Sequence, residues 1–232
     1  PTAIPDSVRR TLAEPPLNPD LEPDFVEIYL DVREKLQRIY GTEDDVVVMS
    51  GEGILGLEAA VGSVIEPGDS VLVIANGPYG AGFADFVELY GGEAITYSEP
   101  DDTPLDRDKV AELLEEHSFT AATMVHCETP TGLLNNLGGI LADLQAADVL
   151  TIVDAVSSLG GTPVPIEYID IGIGASQKAF SAPTGLCTMS VSDRAWERIE
   201  SVDQPTFYAS LGPWQDPEME EPPFFPYSHQ AS

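Results

Sequence analysis

The sequence predicts an α/β fold, a mostly parallel sheet with helices on both faces. Two observations predict it. Five apolar runs of strand length recur, each closed by a polar or turn residue, and between most of them apolar residues fall at helical spacing. Strand alternating with helix implies crossovers that cover both faces, and such sheets bind ligands beyond the carboxyl ends of their strands.

The elements follow in order. FVEIYLDVREKLQRIY (25–40) places Ile28, Val32, Leu36 and Ile39 on one helical face. VVVM (46–49) reads as a strand and ILGLEAAVGSVI (54–65) as a helix, and EPGD (66–69) is a turn leading into the strand VLVIA (71–75). AGFADFVELY (81–90) and DRDKVAELLEEH (106–117) repeat the helical spacing before the strand TAATMV (120–125). LGGILADLQAA (137–147) is a helix, and LTIV (150–153), the strand-like IDIGIGA (169–175) and LCTMSV (186–191) complete the sheet. Ligand-facing residues are then expected just after the runs, at 51–53, 76–79, 127–131 and 154–158. Residues 201–232 hold seven prolines or glycines with no periodicity and read as an extended connector leaving the domain. No internal repeat is present.

The chain of 232 residues is long enough for one sizeable α/β domain. Its 40 acidic residues against 10 basic ones give a net charge of -30, which argues against nucleic acid or an anionic membrane as partner. The acid excess is spread along the chain and lysine is scarce, a pattern that fits adaptation to high salt, where a Debye length of about 3 Å makes self-repulsion tolerable. Cys127 and Cys187 lie in apolar sequence and read as reduced, buried thiols of a cytoplasmic protein. No signal peptide or apolar stretch of about 18 residues occurs. The missing initiator Met and the ending PPFFPYSHQAS lead to the expectation of a chain truncated at both ends.

Lys178, in GIGASQKAFSAPTGL, is one of three lysines. Lys35 and Lys109 sit among charges in VREKLQR and DRDKVAELLEE, whereas the nearest carboxylates in sequence to Lys178 are Asp170 and Asp193. Asp154 closes an apolar strand in TIVDAVSSLGG, and Lys178 follows it by 24 residues after a second strand-like run, so both are expected at one sheet edge. A buried Asp with a lysine able to lose its proton is the pairing a pyridoxal cofactor requires. The carboxylate keeps the ring nitrogen protonated, and the amine forms the Schiff base. Tyr79 in NGPYGAGF is suited to stack on such a ring, and Thr129 in HCETPTG to hydrogen-bond its hydroxyl. Taken singly, these residues also fit a solvated loop lysine, a helix-capping Asp and a packed Tyr.

SQKAFSAPTG, VDAVSSLGG, ETPTG, GLEAAV and EPGDSVLVIANGPYG together resemble the class V aminotransferases of PLP fold type I, the group of alanine-glyoxylate and serine-pyruvate aminotransferases. The resemblance runs over nearly the whole chain. It implies Lys178 as Schiff-base lysine, Asp154 as pyridinium partner, Tyr79 as stacking aromatic and Thr129 as ring-hydroxyl partner. It also implies an N-terminal arm over 1–20, a cofactor-binding large domain over 21–200, and a connector over 201–232 toward a small C-terminal domain. A homodimer is implied too, with Phe225 in the place of a tyrosine that reaches the neighbouring subunit's phosphate. The substrates implied are a small amino donor and an oxo acid such as pyruvate or glyoxylate.

GEGILG (51–56) matches G-x-G-x-x-G, but a dinucleotide site wants an acid about 20 positions on, where Asn76 stands. In class V enzymes this loop cups the cofactor phosphate with backbone N–H groups and a small hydroxyl residue. Here Glu52 occupies the hydroxyl position beside Gly53. A carboxylate beside a phosphate is repelled by it, so the loop is read as built to reject one. That resembles the pyridoxamine-pyruvate transaminase branch, which takes unphosphorylated pyridoxamine as substrate; GEGILGLEAA, NGPYGAGF and CETPTG point the same way. Ser158 and Gln177 resemble family phosphate ligands and favour ordinary PLP binding, as would a Glu52 turned outward at the helix start. His117, His126 and His229 show no metal-ligand spacing. None of the seven arginines lies in a segment like the one that grips substrate carboxylate in the small domain, so a noncatalytic fragment is the remaining alternative.

Overall fold

Seven strands pair into a single sheet in the computed structural model, which describes residues 2–226. His229 lies outside the described residues. The strands are β1 (Asp45–Ser50), β2 (Ser70–Ala75), β3 (Glu93–Ser98), β4 (Ala121–Val125), β5 (Leu150–Asp154), β6 (Ile171–Ala175) and β7 (Leu186–Val191). Their order is β1-β7-β6-β5-β4-β2-β3. Only β7 is antiparallel to its neighbours, pairing with β1 on one side and β6 on the other. Two successive antiparallel pairings return β1 to the common direction. The segments after β1, β2, β4, β5 and β6 therefore all leave from one edge, which the start of β7 also borders.

Every residue of β4, β5 and β6 is buried, so both faces of the central sheet are covered. The covering helices are α1 (Asp6–Thr11), α2 (Pro23–Tyr40), α3 (Gly53–Val64), α4 (Pro78–Leu89), α5 (Arg107–Glu116), α6 (Gly138–Ala146) and α7 (Asp193–Ser201). The edge strand β3 escaped the sequence reading because only Tyr97 along it is buried and no continuous apolar run marks it. The short α1 and α7 were also unanticipated. In α7 the Ser192 hydroxyl accepts the Ala195 N–H at 3.1 Å and caps the first turn.

The buried face of α2 differs from the one expected. Ile28 and Ile39 are exposed, while Phe25, Tyr29, Leu36 and Tyr40 enter the core. The reason is that the aromatic rings fill more volume and Tyr40 finds a hydrogen-bond partner inside, its hydroxyl donating to the Thr188 carbonyl at 3.0 Å. Gly174 on β6 makes this possible, since a Cβ there would stand 3.1 Å from that hydroxyl and closer still to Leu159 and Thr188.

Over its described residues the segment after α7 packs against the domain. Leu211, Trp214 and Phe225 are buried, and Glu218 pairs at 2.7 Å with Arg33 of α2, which also holds Asp45 at 2.6 Å. Phe225, expected to reach a neighbouring subunit, instead packs on Phe25 and Tyr29 with ring centroids 5.1 and 4.8 Å away. Apolar side chains spaced between the prolines have core to cover, which a search for periodicity does not detect.

Candidate active site

Asp154 ends β5 between β4 and β6, and parallel register sets Val125 on one side of it and Ile173 on the other. The loops that follow those two neighbours carry Thr129 and Lys178. The Asp154 carboxylate is buried and accepts the Val156 N–H at 2.8 Å. Burial pushes its pKa up to about 6, the Val156 bond opposing; the Glu128 charge adds to the rise and Lys178 opposes it.

Lys178 is half-buried, and its Nζ stands 3.5 Å from the Ser157 hydroxyl. That hydroxyl lies 2.5 Å from Thr129 Oγ1, so Lys178, Ser157 and Thr129 form one polar row. Among the described residues, Lys35 and Lys109 each hold a carboxylate, Asp31 and Glu99, whereas Lys178 has no carboxylate within salt-bridge distance. The N-terminal arm reaches this loop, Thr2 Oγ1 donating to the Lys178 carbonyl at 2.7 Å and Thr2 N–H to that of Gln177 at 3.1 Å. Tyr79 lies in the first turn of α4, just past β2, and is 42% exposed.

At the same sheet edge, Glu52 follows β1 and precedes α3 in extended conformation. Its side chain does not cap the helix; it is exposed and accepts the Thr184 hydroxyl at 3.0 Å. Gly53 is buried where a Cβ would come within 2.8 Å of Val156, so the helix start sits close against the loop that follows Asp154. Gln177 keeps a buried Oε1 with no hydrogen-bond partner, beside Lys178.

Ser158 departs from expectation. Its side chain is buried, lies 2.9 Å from His126 Nδ1 and donates to the Ala155 carbonyl, which leaves it no open face for a phosphate. The tight turn after Asp154, with Ser158 N–H donating to Ala155, carries it inward and leaves Ser157 facing Lys178. His126 is buried too, and burial lowers its pKa. Cys187 is a buried free thiol as expected, but Cys127 is only partly buried.

Sequence reading placed Ser157 and Glu128 within the expected ligand-facing ranges 154–158 and 127–131 but gave neither a role. Ser157 was hidden by its twin at 158. Glu128 is fully buried immediately before Thr129, and an acid flanked by an apolar strand and the PTG turn was the signal available. The buried carboxylate of Asp154, the Lys178 amine and the Ser157–Thr129 hydroxyls fit a pyridoxal ring: acceptor for a ring N–H, amine for the carbonyl, donors for a ring oxygen.

The sequence profile described as Aminotransferase class-V matches residues 18–217. An uncharacterized aminotransferase of Methanocaldococcus jannaschii is 36% identical over 91% of this chain and 56% of its own length. Pyridoxamine-pyruvate transaminase of Mesorhizobium japonicum is 34% identical over 92% of this chain and 55% of its own length. Among solved structures, pyridoxamine-pyruvate aminotransferase from Mesorhizobium loti superposes with a TM-score of 0.92 at 32% identity, over 100% of this chain and 60% of that one. The chain thus spans about half the length of the curated relatives it matches. No helix among the described residues is long and apolar enough to cross a membrane.

Proposed function

Since this chain belongs to the class V aminotransferase family, we propose that it takes part in moving an amino group between a small amino donor and a small oxo acid, with pyridoxamine and pyruvate the favoured pair. The observation that carries the reading is the convergence of Asp154, Lys178 and Thr129 at one sheet edge, with Ser157 bridging the last two. When bound, a pyridoxal ring supplies the electron sink for such a transfer. The chain's own residues do the rest. Asp154 would accept the ring N–H, Thr129 would hydrogen-bond the ring oxygen, and Tyr79 would cover one face of the ring. Lys178 Nζ would hold the ring's aldehyde carbon, the carbonyl oxygen leaving as water, and as a free amine would carry the proton at the carbon that bears the amino group.

The unphosphorylated ligand is favoured by Glu52, a carboxylate at the start of α3 where a phosphate would gain from the helix N-terminus. A conventional PLP-dependent alanine-glyoxylate or serine-pyruvate aminotransferase is the second reading; there the Gln177 side-chain NH2 would be the donor to a phosphate, since its unpartnered Oε1 is an acceptor that a phosphate does not satisfy. Titration with pyridoxal is expected to raise a visible band above roughly 400 nm that Lys178→Ala abolishes; retention of the band in the variant would sink the assignment. The same reading proposes a homodimer whose assembly needs high salt, because two protomers of charge -30 repel. Sedimentation at molar salt checks it, and a fully active monomer counts against it.

A further inference from the structure

One buried charge at this edge has no part in the mechanism above. Glu128 is 0% exposed, and its Oε1 accepts the Gly80 N–H at 2.7 Å. A Cβ at Gly77 would stand 2.4 Å from Glu128 Cδ, and one at Gly80 3.4 Å from Oε1. The two glycines that flank Pro78 and Tyr79 in NGPYG therefore leave the space that this carboxylate fills. Its negative charge also suits the amino end of α4. The other oxygen, Oε2, is buried with no partner. A glutamine would accept the same N–H without a surplus charge, so the clamp alone does not account for a glutamate here.

The charge acts on the ring site. Asp154 is faced by Glu128 from the loop after β4 and by Lys178 from the loop after β6, the first raising and the second lowering its proton affinity. Cys127 feels Glu128, Asp154 and Lys178 with the same signs, while the nearby His126 ring is engaged with Ser158.

We propose that Glu128 is a positioning residue of the ring site, holding the Tyr79 turn of α4 against the Thr129 loop and adding to Asp154 a second buried negative charge that keeps a bound ring nitrogen protonated. The inference rests on the reading of Asp154 as the partner of that nitrogen. A proton shared between Asp154 and the ring is held to higher pH when a second fixed carboxylate lies nearby, whichever of the two carries it.

Two variants separate the clamp from the charge. Glu128→Gln keeps an acceptor for Gly80 and removes the charge; Glu128→Asp keeps the charge and shortens the reach. Without added aldehyde, the Asp154 carboxyl is titrated by carbon NMR and Gly80 amide exchange is followed in parallel. In Glu128→Gln the Asp154 midpoint is expected to fall below about 6 while staying above the ordinary carboxylate range, because burial, the larger cause, is unchanged, and Gly80 protection is retained. In Glu128→Asp, Gly80 protection is expected to drop roughly tenfold. With pyridoxal bound, the ring nitrogen signal in Glu128→Gln should lose its proton at lower pH than in the wild type. An Asp154 midpoint unmoved by Glu128→Gln overturns the proposal. Failure of wild-type Lys178 to capture pyridoxal overturns instead the functional reading, and the titration without aldehyde tells the two failures apart.

Discussion

Around Asp154 the polar groups are buried and hold one another. Asp154 takes the Val156 N–H, Glu128 takes the Gly80 N–H, and Ser158 and His126 pair below. Around Glu52 the side chains are exposed, and the carboxylate rests on the Thr184 hydroxyl. Both regions border the same edge of the same sheet, so the fold does not account for the contrast. Groups that must keep an unusual charge state need exclusion from water and fixed partners. Groups that choose between ligands gain from a wet, adjustable setting, where a single substitution changes preference without disturbing the core. Control of the proton at Asp154 is thus proposed for the buried region and ligand choice for the exposed one, with half-buried Lys178 and exposed Thr129 at the border between them.

Asp154→Asn is expected to give the largest effect and breaks the comparison if it does not. Loss of the carboxylate proposed to pair with the ring nitrogen should lower amino transfer by about a thousandfold. The same change should stabilise the protein without cofactor. The folded state holds the Asp154 proton more tightly than the unfolded chain, because its pKa is raised to about 6. Stability contributed by this group is therefore full below the ordinary carboxylate range and lost as pH rises to about 6. Above that window the ionised group costs about 3 kcal/mol, which asparagine removes while still accepting the Val156 N–H. Chemical denaturation at pH 4 and pH 7 checks this: the variant should gain at pH 7 and not at pH 4. Equal stability at both would mean that Asp154 is not held in a desolvated setting.

The two regions were also unequally legible in the sequence. Lys178, Asp154 and Thr129 stood out because each follows an apolar strand, and parallel order alone brings such residues to one edge. Glu128 did not stand out, since its role depends on an N–H from α4, an element 48 residues earlier in the chain. Ser157 and Ser158 could be told apart only by the turn after β5. The buried face of α2 was misread because aliphatic spacing took precedence over the aromatic positions beside it. Phe225 was misplaced because one chain's pattern does not distinguish a residue that reaches outward from one that caps its own core.

Glu52→Ser sharpens the comparison from the exposed side and carries a smaller effect. Charge products between a carboxylate and a phosphate about 5 Å apart amount to several kcal/mol in a partly enclosed loop, but much less in water. Glu52 is exposed and its carboxylate already leans on Thr184, so solvent screens it and molar salt screens it further. The expected change is about tenfold in relative affinity, with pyridoxal favoured over PLP in the wild type and the order reversed by serine, which removes the repulsion and supplies a donor. Capture of either aldehyde by Lys178 should persist, because the α3 start contacts the loop after Asp154 through Gly53 and Val156 and not through the Glu52 side chain. Dissociation constants for both aldehydes, measured at fixed molar salt for wild type and variant, decide it. A wild-type preference for PLP that serine leaves unchanged would show that Glu52 takes no part in ligand choice, and would make the conventional PLP-dependent reading the better one.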